Sequence, residues 1–145
     1  MSFEPFMWVI FCDDIRQEVG NKLSLMGIYG ANLVVPSFPT VLPKLCCVFN
    51  VRVPANAVPR HVVFKMPRGE EVIFEAELSH IDNESTLVQL PPGIEDSHAL
   101  TIGNVAQFVN FAVTEQALLK ARALVDGKEL RGGSLELLAS SPTKQ

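Results

Sequence analysis

Apolar and polar residues alternate along much of this chain, which is the pattern of β-strands that bury one face. In residues 44–53 the odd positions from Leu45 to Val53 are apolar and share one face, and polar residues such as Asn50 and Arg52 lie on the other. Three further stretches alternate in the same way: 61–66, 71–78 and 105–113. In the last of them, the alternation predicts these residues on one face: Val105, Val109, Phe111 and Val113.

Two stretches have apolar residues on both faces. Residues 6–12 are apolar at every position and contain Trp8, the only tryptophan. We expect this strand to be buried on both faces, whereas a place near a sheet edge would leave an exposed apolar patch. A weaker run, 22–29, follows Gly20 and Asn21, which are typical of a hairpin turn.

Proline clusters separate the predicted strands, because proline cannot donate a hydrogen bond to a neighbouring strand. The ten prolines and the nearby glycines place turn signals about every 8–12 residues. This spacing predicts an all-β fold. We expect a two-sheet antiparallel β-sandwich, immunoglobulin-like or related, of about seven to nine strands.

Residues 114–126 fit two structures. Thr114 could cap a helix whose apolar stripe includes Leu118 and Leu124. Asp126 and Gly127 are, however, a strong hairpin signal. We expect a strand, because the neighbouring stretches are β, and one short helix is the alternative.

The predicted hairpin over residues 61–78 has a testable register. Pro67 and Gly69 fit a type I turn with a glycine bulge. Val62 would then lie opposite Phe74 on the core face. Exposed charge pairs would include Lys65 with Glu71 and His61 with Glu75.

The length of 145 residues fits one domain with its own core. We expect a single sandwich domain over residues 1–139 and a flexible tail over 140–145. No targeting segment is visible, and the longest apolar run is far too short to span a bilayer.

Charge and cysteine content narrow the partners and the compartment. The net charge is −4, which disfavours nucleic acid and anionic membrane surfaces as partners. The three cysteines are Cys12, Cys46 and Cys47. An odd count with two adjacent residues does not resemble a disulfide framework, so we expect reduced thiols in the cytoplasm.

Both ends of the chain resemble a family of small uncharacterised bacterial proteins. The segment 11–30 reads FCDDIRQEVGNKLSLMGIYG, and the segment 125–138 contains VDGKELRGGSLEL. The resemblance implies a stand-alone bacterial β-sandwich. It implies no activity and no functional residue, because no established function is attached to that family.

The densest polar cluster follows the first predicted strand and comprises Asp13, Asp14, Arg16 and Glu18. Paired carboxylates could serve acid–base chemistry or bind a cation. Neighbouring strand residues point to opposite faces, so we expect both aspartates to bond backbone amides at the end of the strand instead. We found no catalytic, cofactor or metal motif, and we expect no enzyme and no cofactor.

Charge is segregated along the chain. Acidic residues are absent between Glu18 and Glu70, and basic residues are absent between Arg68 and Lys120. These segments either neutralise each other across neighbouring strands or orient a partner.

The apolar surplus and the charge pattern together predict a non-enzymatic binding or assembly module. It would form a homodimer or bind a protein partner. A small-ligand or metal-binding β-sandwich is the alternative. An enzyme of unknown class comes third.

Overall fold

The computed structural model describes residues 3–79 and 99–140. Within these ranges the chain is all-β and contains no helix, which confirms the predicted fold class. The strands are β1 (Phe6–Glu18), β2 (Lys22–Ile28), β3 (Asn32–Val35), β4 (Thr40–Pro54), β5 (His61–Arg68), β6 (Glu71–Ser79), β7 (Ala99–Val113), β8 (Ala117–Val125) and β9 (Lys128–Ala139).

The nine strands form two sheets, in the orders β2-β1-β4-β7 and β3-β9-β8-β5-β6. All pairings are antiparallel except that of β3 with β9, a parallel exception to the antiparallel sandwich we expected. Just beyond this pair, the backbone N–H of Ser140 donates to the carbonyl of Val35 at 2.8 Å. Ser140 begins the tail expected to be flexible, and residues 141–145 lie outside the described residues.

The inner faces of the two sheets meet in one hydrophobic core. The odd residues of β4, from Leu45 to Val53, lie in this core as predicted. The ring of Phe49 stacks on Phe74 of β6, and its centroid lies 5.3 Å from that of Phe64 on β5. Full burial of such a side chain contributes about 1.5–3 kcal/mol.

β1 is buried on its core face but exposed at the start of its outer face, so the expectation of burial on both faces along residues 6–12 is wrong, although Cys12 at the end of this run is buried. The strand continues to Glu18 instead of ending near Cys12. Its residues Met7 and Phe11 face the core, whereas Trp8 is 37% exposed. The described residues provide no second layer over the outer face of this sheet.

The predicted face of β7 is only half correct. Phe111 and Val113 lie in the core, but Val105 does not, and Val109 is 68% exposed. Even-numbered residues face the core in the first part of the strand. At Asn110 the backbone φ is +54°, a rare conformation for a residue other than glycine. After this interruption the odd residues turn back into the core.

The β5–β6 hairpin has the predicted faces except at Val72, which is 48% exposed, and it does not have the predicted register. Val62 lies opposite Leu78 instead of Phe74. The turn begins at Gly69 with φ +63°, and Pro67 lies inside β5 beside a bulge, where its missing N–H is tolerated. A shift by four positions keeps inward residues inward, so alternation could not reveal it.

Residues 117–125 form β8, which confirms the strand over the helix. The turn to β9 consists of Asp126 and Gly127, with φ +48° and +86°, the pattern of a type I′ hairpin. The Asp126 carboxylate also accepts hydrogen bonds from the backbone N–H groups of Arg60 and His61, at 3.1 and 3.0 Å. The turn is thereby attached to the start of β5.

Candidate functional site

The outer face of the four-stranded sheet carries many apolar side chains, and we call this surface the apolar face. Its members alternate with core residues along each strand. They are Phe6, Trp8 and Ile10 of β1, Met26 and Ile28 of β2, Val48 of β4, and Val105 and Val109 of β7. Phe6 is 51% exposed and Ile28 is 61% exposed. Exposed apolar patches of several hundred Å² usually mark contact sites.

Aromatic rings form a ridge along β1. The ring centroids of Phe3 and Phe6 lie 6.0 Å apart, and those of Phe6 and Trp8 lie 5.9 Å apart. Between Lys44 and Arg52, β4 adds only uncharged side chains to this face. The centre of the apolar face is therefore uncharged, as the centres of protein interfaces usually are.

Two thiols lie directly opposite each other at one end of the apolar face. Cys12 of β1 pairs with Cys46 of β4, and both are fully buried, as is Cys47 on the core side. All three are free thiols. Burial raises the pKa of Cys12 to about 11 and also raises the pKa of Cys46 and Cys47. Protonated thiols are poor nucleophiles and poor metal ligands.

The four residues of the polar cluster do not form one site. The Asp14 carboxylate accepts hydrogen bonds from the Lys44 ammonium at 2.7 Å and from the Ile15 backbone N–H at 2.9 Å. Asp13, on the opposite face of the strand, accepts a hydrogen bond from the Tyr29 hydroxyl. Both aspartates lie inside β1 and not at its end, which corrects our expectation.

The other two members of the polar cluster lie further along β1. The Glu18 carboxylate accepts a hydrogen bond from the Ser24 hydroxyl at 2.6 Å. Arg16 is exposed and pairs with Ser24 in the β1–β2 register. Since at least three members have separate partners within β1, β2 and β4, the cluster offers no shared acid–base or cation site.

The contact between Asp13 and Tyr29 explains part of the N-terminal motif. Gly27 has φ +68°, and a Cβ at this position would overlap the Asp13 carboxylate. Burial, followed by the hydrogen bond to Asp13, raises the pKa of Tyr29 to about 12. The motif therefore encodes a structural joint between β1 and the end of β2.

The C-terminal motif also encodes structure. A bulge between Ala121 and Arg122 leaves Gly132 as the extra residue of β9. A Cβ on Gly132 would lie 2.6 Å from the Met7 Cε, so glycine permits close contact between β9 and β1. Gly133, with φ +111°, completes the irregular segment.

The outer face of the five-stranded sheet carries charge pairs beside exposed apolar residues such as Val34 and Leu118. His61 Nε2 lies 2.6 Å from Glu77. Lys65 lies opposite Glu75 across the same hairpin. The basic and acidic segments thus neutralise each other at least within this hairpin, with a register that differs from the predicted one. The remaining acidic residues Asp82, Glu84, Glu95 and Asp96 lie outside the described residues.

A cavity of about 550 Å³ lies at the end of the sandwich where β5 turns into β6. Its lining residues come from that turn, from the β7–β8 connection, from β8 and from Leu137 of β9, and the charged ones include Arg68, Glu71, Glu115 and Lys120. Arg68 is held by Glu71, by the Ala112 carbonyl at 3.4 Å, and by the Phe111 ring beneath it.

Residues 3–79 and 99–140 contain no group of three or more histidine, cysteine, aspartate or glutamate side chains placed to hold a metal ion. The same residues contain no helix that could cross a membrane. His80 and His98 lie outside this part of the chain.

The fold and its surfaces define a β-sandwich whose four-stranded sheet carries an apolar patch on its outer face. A family model described as a family of unknown function, DUF6941, matches residues 7–137, so the chain belongs to that family. No curated protein and no solved structure matched the chain in the two further comparisons.

Proposed function

We propose that the protein is a non-enzymatic assembly module that self-associates through its apolar face. The observation that carries the proposal is the concentration of exposed apolar side chains on one outer face. Trp8 lies on β1 within that face, between Phe6 and Ile10 of the same strand. Covering such a patch is the usual role of a closed two-fold dimer.

The size of the apolar face fits a second copy of the chain. The strands β1, β4 and β7, about 4.8 Å apart, and nine residues rising about 3.4 Å each give a surface of roughly 14 by 31 Å, to which the end of β2 adds a strip of roughly 5 by 10 Å. The flat projection is about 500 Å², and the accessible area of a corrugated surface is larger, which approaches the ~800 Å² that a standard interface covers on each partner.

A charge placed at Trp8 in the apolar face should abolish self-association. We expect the wild type to have twice the mass of one chain by size exclusion with light scattering, and Trp8→Glu to have the mass of one chain. Leu118→Glu is the matched control, because Leu118 is exposed to a similar degree, 40% against 37%, on the other sheet. It should remain a dimer.

High salt should not dissociate the dimer, because the contact is mainly apolar. A wild type with the mass of one chain at both low and high salt would contradict the proposal. So would a Trp8→Glu variant that folds normally and remains a dimer.

The end cavity supports a second candidate function, binding of a small polar molecule. The volume of about 550 Å³ lies within the usual range for ligand pockets. Lys120 and Glu115 add charges of both signs to its wall. A thermal-shift screen with metabolites tests this function, and Lys120→Ala should abolish any shift. A screen that raises the melting temperature with no compound would refute it.

A further inference from the structure

At the end of the sheet where β1 begins, the apolar face carries larger side chains along β1 than along β7. Three rows cross this end through paired positions of β1, β4 and β7. They are Phe6–Arg52–Thr101, Trp8–Asn50–Gly103 and Ile10–Val48–Val105. In each row the largest apolar side chain stands on β1 and a smaller residue stands on β7. The row of Trp8 ends at Gly103, which has no side chain. Over these three rows the face is therefore a wedge and not a flat surface.

We propose that two copies pack face to face about a two-fold axis that runs along β4, so that Trp8 of each copy covers Gly103 of the other. This inference rests on the proposed self-association and specifies its geometry. Such an axis places β1 of one copy above β7 of the second copy. The high side of each wedge then fills the low side of its partner.

The alternative two-fold axis lies in the same plane but runs across the strands. It would place β1 on β1 and β7 on β7. The aromatic ridge would then meet itself, and a gap would remain above Gly103 and its neighbours. Protein interfaces pack as densely as protein interiors, so the axis along β4 is the one that the wedge favours.

The polar residues of β4 fit the same axis. Asn50 lies in the middle row, where its amide can donate to and accept from its own copy across the axis. If Arg52 pointed straight at the axis, it would meet Arg52 of the second copy. Its Nη1 donates to the Thr101 hydroxyl at 2.8 Å, so the side chain leans toward β7 instead. On that side lies Phe6 of the second copy, whose ring can accept a cation–π contact.

Site-specific cross-linking tests this geometry. Ile10→Cys and Val105→Cys are prepared separately, with tags of different size, and are mixed until subunits have exchanged. A short bis-maleimide is then added. Because Ile10 of one copy lies above Val105 of the other, we expect a cross-linked heterodimer in the mixture and none with either variant alone. The wild type is the control, since its three cysteines are fully buried.

Other outcomes separate the two proposals. Cross-linking of Ile10→Cys to itself would overturn the axis along β4, and so would a dimer that cross-links in no combination. A wild type with the mass of one chain would instead overturn self-association itself. A monomer whose Trp8 fluorescence resists acrylamide quenching would do the same.

Discussion

Substitution of Gly27 by alanine tests whether the N-terminal motif is a structural joint. Gly27 has φ +68° and faces the Asp13 carboxylate, which accepts a hydrogen bond from Tyr29. A Cβ at position 27 strains the backbone and displaces that carboxylate. The variant should therefore be destabilised by backbone strain at position 27 and by loss of the hydrogen bond between Asp13 and Tyr29.

The expected loss can be divided into two parts. A non-glycine residue in the left-handed region costs about 1–2 kcal/mol. A partly exposed hydrogen bond such as that of Tyr29 contributes about 1 kcal/mol. Gly27→Ala should thus destabilise the fold by about 2–3 kcal/mol. At about 3 °C per kcal/mol for a chain of this length, the melting temperature should fall by roughly 6–9 °C.

Denaturant unfolding at one fixed protein concentration measures these losses. Gly127→Ala is the control, because Gly127 also has a positive φ but has open space around its Cβ position, and it should lose only about 1–2 kcal/mol. Asp13→Ala removes the hydrogen bond to Tyr29, so that the added Cβ at position 27 can no longer break it. The double variant Asp13→Ala/Gly27→Ala should therefore be about 1 kcal/mol more stable than the sum of the single losses predicts. Fully additive losses in the double variant, or equal losses for Gly27→Ala and Gly127→Ala, would refute the idea that Gly27 makes room for the hydrogen bond between Asp13 and Tyr29.

Three further predictions concern titratable groups. The single tyrosine, Tyr29, should ionise with a midpoint near pH 12 in the folded protein, which absorbance at 295 nm measures. The stability that its protonated hydroxyl contributes should be present below the ordinary pKa near 10 and lost as the pH rises through 12. A midpoint near 10 in the folded protein would contradict this. The hydrogen bond from Lys44 lowers the pKa of Asp14, so Lys44→Met should be less stable than the wild type at neutral pH. The free energies of unfolding of the two proteins should converge as the pH falls through the lowered pKa of Asp14. A constant difference down to strong acid would exclude this role. Thiol titration without reductant should find three free thiols after denaturation. The folded protein should react very slowly, because all three cysteines are buried. A single free thiol after denaturation would indicate a disulfide.

Alternation predicted which residues face the core wherever a strand is regular. It succeeded in β4, where Leu45 to Val53 are inward at every second position. It also gave the faces of β5 and of β6 beyond Val72. It could not give their register, because Val62 remains inward whether it faces Phe74 or Leu78. Only the turn residues could determine the register. Pro67, which we had expected in the turn, lies beside a bulge inside β5 instead.

Alternation failed where burial depends on distant parts of the chain. The apolar run that contains Trp8 looks the same in a doubly covered strand and in a strand with one exposed face. Only the sheet order shows that no other strand of residues 3–79 and 99–140 covers its outer face. In β7, the positive φ at Asn110 reverses the faces, and nothing in the surrounding residues signals that reversal.

The two candidate surfaces differed in how far the sequence revealed them. Asp13 and Asp14 were noticeable because they are adjacent carboxylates, but their separate partners Tyr29 and Lys44 come from β2's end and from β4. The apolar face was partly visible in the run containing Trp8. Its other members, such as Ile28 and Val109, come from separate strands and join it only through pairing.

The contrast between the two outer faces is the main argument that the apolar face has a partner. An outward position of a sheet can be polar without loss of the fold, as Lys65 and Glu75 show on the five-stranded sheet. Solubility alone would favour the same choice on the four-stranded sheet, where an exposed apolar patch invites aggregation. The fold does not require Trp8 and Phe6 on the outer face, because the core is completed by the opposite side of β1. A contact that covers these residues does require them there.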